Sequence, residues 1–341
     1  MPTGPQSSNA SSWTSKNNPI STVWWNCWPH PPAASSTDPP RTARNPHVTV
    51  STSTAGGRLR ALLAQDSLIT APGVFDGLSA HLVARTGFSA AYLSGAGVSV
   101  AGFGLPDIGL LTQSEMTGRA RIVVTALDGI PLIADADTGY GAPMNVARTV
   151  REYEKAGVAA LHLEDQAFPK KCGHLPDKEL VTPGEFTDKL DAALQARTDD
   201  DLVIIARTDA RGPLGINEAI DRAGRYATAG ADVLFVEAPQ NIGEIEKIAA
   251  EVDAPLLINM VQDGLTPDTA PDRLAELGYR IAIHPGALLA PYVLHGLEAL
   301  GRLGGTMPQA TPGPQGLFEL VGLREWSAIG ERYHDNAKDG A

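Results

Sequence analysis

The chain has 341 residues, 43% of them hydrophobic, and a formal charge of −12 from 27 basic and 39 acidic side chains. That length can bury the core of one large α/β domain or two smaller ones, while the acidic balance argues against a nucleic-acid backbone or an anionic membrane as partner. No apolar run reaches the length of a membrane span, and Cys27 and Cys172 form neither a paired motif nor a disulfide framework, so a reducing, cytoplasmic setting is expected.

Residues 1–57 are dense in Ser, Thr, Asn and Pro and hold four of the five tryptophans (Trp13, Trp24, Trp25 and Trp28). With no helical or strand periodicity and no basic start followed by an apolar core, this stretch is expected to be a disordered tail and not a targeting signal. From Leu68 onward one unit recurs: a short apolar strand, a loop, an amphipathic helix, and a glycine before the next strand. Strands are predicted at 68–75, 90–95, 131–136, 159–164, 202–207, 232–237, 255–260 and 280–285. Each is a nearly continuous apolar run ending in a polar or turn residue, as parallel strands covered on both faces require. Eight such units predict a (β/α)8 barrel over residues 58–303. The rival, an open doubly wound sheet, would usually carry a G-x-G-x-x-G turn after its first strand, which is lacking here. Residues 286–303 are expected to form the closing helix. The segment 304–341 is expected to be a linker (304–316) and a further amphipathic helical extension (317–333) that packs on a neighbouring subunit.

Barrel chemistry gathers at the C-terminal strand ends. Those positions are Tyr92, Ser94 and Gly95; Asp135 and Asp137; Glu164 and Asp165; Arg207, Thr208 and Asp209; Glu237; and Asn259. Acids so placed around one arginine repel each other without a cation, and oxygen ligands of this kind suit magnesium. His162 lies within a strand, and a satisfied interior histidine is the expected reading. The loop 166–181, "QAFPKKCGHLPDKELV", exceeds the usual connection length and reads as a lid. It places Cys172 beside Lys170, Lys171 and His174, cations that lower a thiol's pKa from about 8.5. Acid/base or nucleophilic chemistry is therefore expected of Cys172 ahead of inert packing.

"YLSGAG", "GLPDIGLLT", "DADTGYG", "LHLEDQ", "PKKCGHL", "ARTDA" and "NMVQDGLTP" fall in order along residues 58–333. Together they resemble the isocitrate lyase/phosphoenolpyruvate mutase superfamily, above all its short members: 2-methylisocitrate lyase, 2,3-dimethylmalate lyase and the carboxyphosphonoenolpyruvate phosphonomutase group. The resemblance implies a homotetramer exchanging C-terminal helices, a bound magnesium with manganese as a substitute, and a small anionic keto or hydroxy acid substrate. It implies Asp135 as the direct metal ligand, with Asp107, Asp137 and Glu164 holding its waters. Ser94, Gly95 and Ala96 would grip the substrate carboxylate and Arg207 the carbonyl oxygen, with Glu237 and Asn259 lining the site. Cys172 matches the acid of the lyases, in a loop completed by Lys170, Gly173 and His174, and Tyr92 is a weaker candidate for the base. The implied reaction is cleavage of a 2-hydroxy di- or tricarboxylate to a keto acid such as pyruvate and a second carboxylate. A carbon–phosphorus mutase and an oxaloacetate hydrolase or decarboxylase are the alternatives within the superfamily. A catalytically silent barrel is disfavoured because the acids, arginine and cysteine are all present. Isocitrate lyase itself is excluded by its greater length and its serine-rich motif after the seventh strand. Gln262 and Asp263 depart from the "EGG" common in close relatives, which bears on the substrate's distal group.

Overall fold

A computed structural model describes residues 53–306, 308 and 313–338. The expected tail up to residue 52, with Cys27 and the tryptophan cluster, lies outside the described residues. In chain order the elements are α1 (Ala55–Leu63), β1 (Ile69–Val74), α2 (Gly77–Thr86), β2 (Ala91–Leu93), α3 (Gln113–Leu127), β3 (Leu132–Asp135), α4 (Pro143–Ala156) and β4 (Ala160–Glu164). They continue with α5 (Pro183–Ala196), β5 (Val203–Thr208), α6 (Ile216–Thr228), β6 (Val233–Val236), α7 (Ile242–Glu251), β7 (Leu256–Asn259), α8 (Pro271–Glu276), β8 (Tyr279–His284), α9 (Leu289–Arg302), α10 (Gly313–Glu319) and α11 (Leu323–Lys338). The strands are parallel and close in chain order, with β1 paired to β8 through Ile69 opposite Ile281 and Pro72 opposite His284. All eight expected strands are present, each within two residues of its predicted ends.

The strands explain why the mouth is polar and the floor is not. Side chains alternate across a strand, so Leu161, Leu163, Ile204, Ala206, Leu234 and Val236 face the helices, and the opposite parity fills the barrel. That inward set begins apolar with Ile133, Ala160, Val203, Val233 and Leu257. Two or four residues on, the same parity delivers Asp135, Glu164, Arg207, Glu237 and Asn259 to the C-terminal rim. In the ladder, Asp135 stands opposite His162 and Glu164 opposite Arg207.

The floor of the barrel differs from expectation. Residues 55–57, assigned to the tail, are the first turn of α1, whose Leu59 is fully buried against Ile69, Ala71 and Ile133 of the interior cluster. Gly56 is required in that turn by contact: a β-carbon there would lie 2.3 Å from the Asp201 carbonyl oxygen. Thr54 caps the helix by accepting a hydrogen bond from the Gly57 amide at 3.0 Å. Arg60 then ties the helix to the barrel, donating to the Asp201 carbonyl at 3.0 Å and pairing with Asp232 at 2.9 Å.

The C-terminal extension also differs in detail. Helix α10 starts inside the expected linker, because Pro314 occupies its first turn, where a missing amide hydrogen costs nothing. The expected continuous helix is broken at Gly322, which takes the left-handed conformation (φ 86°). Among the described residues no helix is long and apolar enough to cross a membrane.

A chain beginning at Ser53 is expected to melt at the temperature of the full-length protein. One beginning at Arg58 loses the Thr54 cap and the first turn of α1, a change expected to lower stability by about 0.5–2 kcal/mol. Calorimetry of the two truncations checks this; equal melting temperatures would remove α1 from the folded unit.

Candidate active site

Arg207 lies near the end of β5 and is only 6% exposed, and such a charge is tolerated only when paired. It pairs three ways. Asp209 takes the Nε and Nη2 hydrogens at 2.9 and 3.1 Å, Glu164 lies 3.0 Å from Nη1, and Glu237 lies 3.3 Å from Nη2. The Phe235 ring sits 5.2 Å beneath the guanidinium carbon and fixes its plane. Asn259 donates to Glu237 Oε2 at 3.1 Å and so joins the same group.

A second cluster surrounds Asp135. Its Oδ1 accepts from the Asp137 amide at 3.0 Å, and its Oδ2 accepts from the Gly95 amide at 3.3 Å. A β-carbon at Gly95 would fall 2.5 Å from Asp135 Oδ2, so a glycine is required there. Asp107 and Asp137 close the cluster, with Lys170 Nζ between them at 2.5 and 2.7 Å. Burial pushes Glu164 well above the ordinary carboxylate range. Burial, followed by the charges of Asp135 and Asp107, brings Asp137 to about 6 despite Lys170. Neither carboxylate oxygen of Glu164 accepts a hydrogen bond.

These features fit a hard divalent cation. Among the described residues no three His, Cys, Asp or Glu side chains converge into a direct ligand cage. The buried Glu164 carboxylate, with no hydrogen bond at either oxygen, together with Asp135 and Asp137 supplies the oxygen donors that a hydrated divalent cation takes directly or through water.

Ser94 is buried and turns its hydroxyl to accept the Gly97 amide at 3.0 Å, capping a short turn, Gly95–Gly97, that leads into a π-helix over Val98–Phe103. Ala96 lies half-buried on that turn.

The loop carrying Cys172 lies across these strand ends. The Cys172 amide donates to the Asp107 carbonyl at 3.0 Å, while the Gln166 side chain grips the Lys171 backbone with bonds of 2.8 and 2.9 Å. His174 Nδ1 accepts the Leu265 amide at 2.9 Å, and its Nε2 stands 3.4 Å from Glu237. The loop thus bridges the metal-type cluster, the arginine cluster and the segment after β7.

The structure brings Tyr92, Ser94, Gly95, Asp107, Asp135, Asp137, Glu164, Lys170, Gly173, His174, Arg207, Glu237 and Asn259 to one end of the barrel, and two expectations change on inspection. Cationic neighbours were expected to lower the Cys172 pKa; instead burial, then the Asp107 charge, pushes the thiol up to about 12. Lys170 spends its charge on Asp107 and Asp137, so Cys172 keeps its proton. Tyr92, the weaker candidate base, is buried with its hydroxyl 2.9 Å from His162 Nε2 and 3.5 Å from Asp135. Burial, then Asp135, raises its pKa well above the ordinary value, which makes it a donor. His162 is an interior histidine as expected, yet it also reaches Asp135, 3.6 Å away. Sequence reasoning passed over Lys178 and counted Asp209 only among the strand-end acids; a lysine on a polar loop carries no signal of burial.

Comparison with known proteins places the chain among relatives. The family model described as phosphoenolpyruvate phosphomutase matches residues 59–299. The 2,3-dimethylmalate lyase of Eubacterium barkeri is 47% identical over 230 residues, covering 67% of this chain and 79% of that protein. A probable 2-methylisocitrate lyase of Corynebacterium glutamicum is 42% identical over 286 residues, covering 82% and 92% respectively. Among solved structures, oxaloacetate acetylhydrolase bound to 3,3-difluorooxalacetate superposes with a TM-score of 0.72 at 38% identity, over 84% of this chain and 98% of that one.

Gly173 offers a direct test of how the loop is seated. A β-carbon there would lie 2.5 Å from Glu237 Cγ and 2.6 Å from Arg207 Nη2, two groups that are themselves pinned. Gly173→Ala is expected to lift the loop, so that iodoacetamide labels Cys172 faster while the circular dichroism spectrum is unchanged. Labelling at the wild-type rate would contradict the seat described.

Proposed function

This chain belongs to the phosphoenolpyruvate phosphomutase family, within the isocitrate lyase/phosphoenolpyruvate mutase superfamily, and on that premise we propose that it is a magnesium-dependent carbon–carbon lyase. Its substrate is a 2-hydroxy di- or tricarboxylate of the 2-methylisocitrate or 2,3-dimethylmalate type, and its products are a keto acid such as pyruvate and a second carboxylate. The observation that carries this reading is the position of Cys172: a protonated thiol on a loop whose amide is bonded to the Asp107 carbonyl beside the carboxylate cluster.

Asp135 would hold the cation directly, and Asp107, Asp137 and Glu164 its waters. Bound there, magnesium supplies positive charge to the alkoxide that develops on the substrate. The rest falls to the chain. Ser94, Gly95 and Ala96 hold the carboxylate of the keto-acid half, and Arg207 faces its oxygen, so charge forming there meets a donor already fixed by three carboxylates. The carbinol hydroxyl passes its proton to the rim carboxylate of Asp137, ionised at neutral pH with its pKa at about 6, and the adjacent carbon–carbon bond breaks. Its electron pair passes to the carbon next to the second carboxylate, and Cys172 Sγ delivers the proton to that carbon. Glu237 and Asn259 line the remaining wall, and Lys170, Gly173 and His174 seat the loop over the substrate. The protein acts as a homotetramer in this reading, with α11 offering Trp326, Ile329 and Tyr333 as exposed apolar contacts.

A second reading, hydrolysis of oxaloacetate, is favoured by the likeness to the acetylhydrolase, since it breaks a carbon–carbon bond at the same kind of keto-acid centre. Incubation with magnesium and, separately, 2-methylisocitrate, 2,3-dimethylmalate, oxaloacetate and a phosphonate is the deciding assay. Turnover of one of the first two is expected; turnover of the phosphonate alone would sink the lyase reading and revive the mutase.

Two variants test the roles assigned. Cys172→Ser is expected to retain substrate binding and lose about 10²–10⁴-fold in turnover, the usual contribution of a general acid. A loss of only two- or three-fold would return the cysteine to loop packing. Asp135→Ala is expected to abolish magnesium-dependent turnover with the barrel still folded, and unchanged magnesium dependence would remove the metal assignment.

A further inference from the structure

Lys178 lies in the lid loop, yet its side chain is only 4% exposed. A buried ammonium needs partners, and Lys178 has two. Nζ donates to the carbonyl oxygen of Gly173. It also stands 3.1 Å from Oδ1 of Asp209, the fully buried carboxylate that receives Arg207 Nε and Nη2. Locally, the Leu175 amide donates to the Cys172 carbonyl at 2.8 Å, turning the chain so that it doubles back toward Gly173. Gly212 completes the slot, since a β-carbon there would lie 3.4 Å from Lys178 Cε. Against the cost of its own burial, Asp209 is held below the ordinary carboxylate range by the charges of Arg207 and Lys178.

We propose that Lys178 is a positioning residue: a latch that ties the seating of the Cys172 loop to the seating of Arg207, through the Asp209 carboxylate that both cations share. When the loop lifts, Asp209 gives up one of its two cations, while the bond from Lys178 to the Gly173 carbonyl, internal to the loop, travels with it. Closure therefore completes the pairing that fixes Arg207, and a substrate that orders Arg207 favours closure by the same linkage. The Gln166 grip on Lys171 lies seven residues or more from Lys178 along the loop and does not touch Asp209, so it anchors the loop without this coupling. The inference rests on the reading of this loop as the lid of the proposed active site.

The experiment measures the rate at which iodoacetamide alkylates Cys172, with and without magnesium and oxalate, a small planar dicarboxylate. In the wild-type protein the ligands are expected to protect the thiol. In Lys178→Met, folded by circular dichroism, the liganded rate is expected to rise about 10- to 100-fold, as the loss of a charge-assisted hydrogen bond implies. Absence of protection in the wild type overturns the lid and the proposed function together. Protection in the wild type with an equal liganded rate in Lys178→Met overturns the latch alone. Should that variant not fold, acetylation of the unmodified protein decides: Lys178 must react more slowly than Lys155, whose side chain is 67% exposed, and must gain protection in step with Cys172. Lys178 acetylated as readily as Lys155 with magnesium and oxalate present overturns the proposal.

Discussion

One buried guanidinium organises the mouth of this barrel. Arg207 stands among Glu164, Asp209 and Glu237, delivered by three consecutive strands and their ends, and no single cation can compensate three carboxylates withdrawn from water. Asp107, Asp135 and Asp137 add three more acids a few ångströms away. The deficit is met in part from outside the barrel: Lys170 pairs with Asp107 and Asp137, and Lys178 with Asp209, and both lysines belong to the loop that carries Cys172. In the proposed latch, electrostatic completion of the site and closure of the loop are one event.

This arrangement separates rigid parts from movable ones. Asp135, Glu164 and Arg207 project from strands whose backbones are fixed on both sides by parallel ladders, so their spacing is set by the barrel. The thiol sits on the loop, held by backbone bonds to Asp107 and by the Gln166 side chain. In the proposed reaction a proton donor that meets a carbon only after substrate has entered suits a place on a loop, whereas charge-stabilising groups gain from being fixed beforehand. The high pKa of Cys172 belongs to the same design. An acid needs its proton, and the basic neighbours that would have removed it are occupied by carboxylates.

The sequence by itself determined the barrel, because eight apolar runs at regular spacing have few other ways to be covered on both faces. It also determined which residues reach the mouth: side-chain parity along a strand carries Val203 and Ile205 inward, so Arg207 must follow, and the same count places Asp135, Glu164 and Asn259. The limits lay in what periodicity does not encode. Residues 55–57 read as tail because one helical turn carries no periodicity, and only the folded chain, with the Asp201 backbone against Gly56, shows them as the start of α1. Cys172 was expected to have a lowered pKa because its sequence neighbours are basic, but pKa depends on neighbours in space. Lys178, on a polar loop, carried no signal of burial. Its burial between the Gly173 carbonyl and Asp209 was decided by the tertiary structure alone, since the two partners lie 5 and 31 residues away in opposite directions along the chain, and only the folded loop brings all three together.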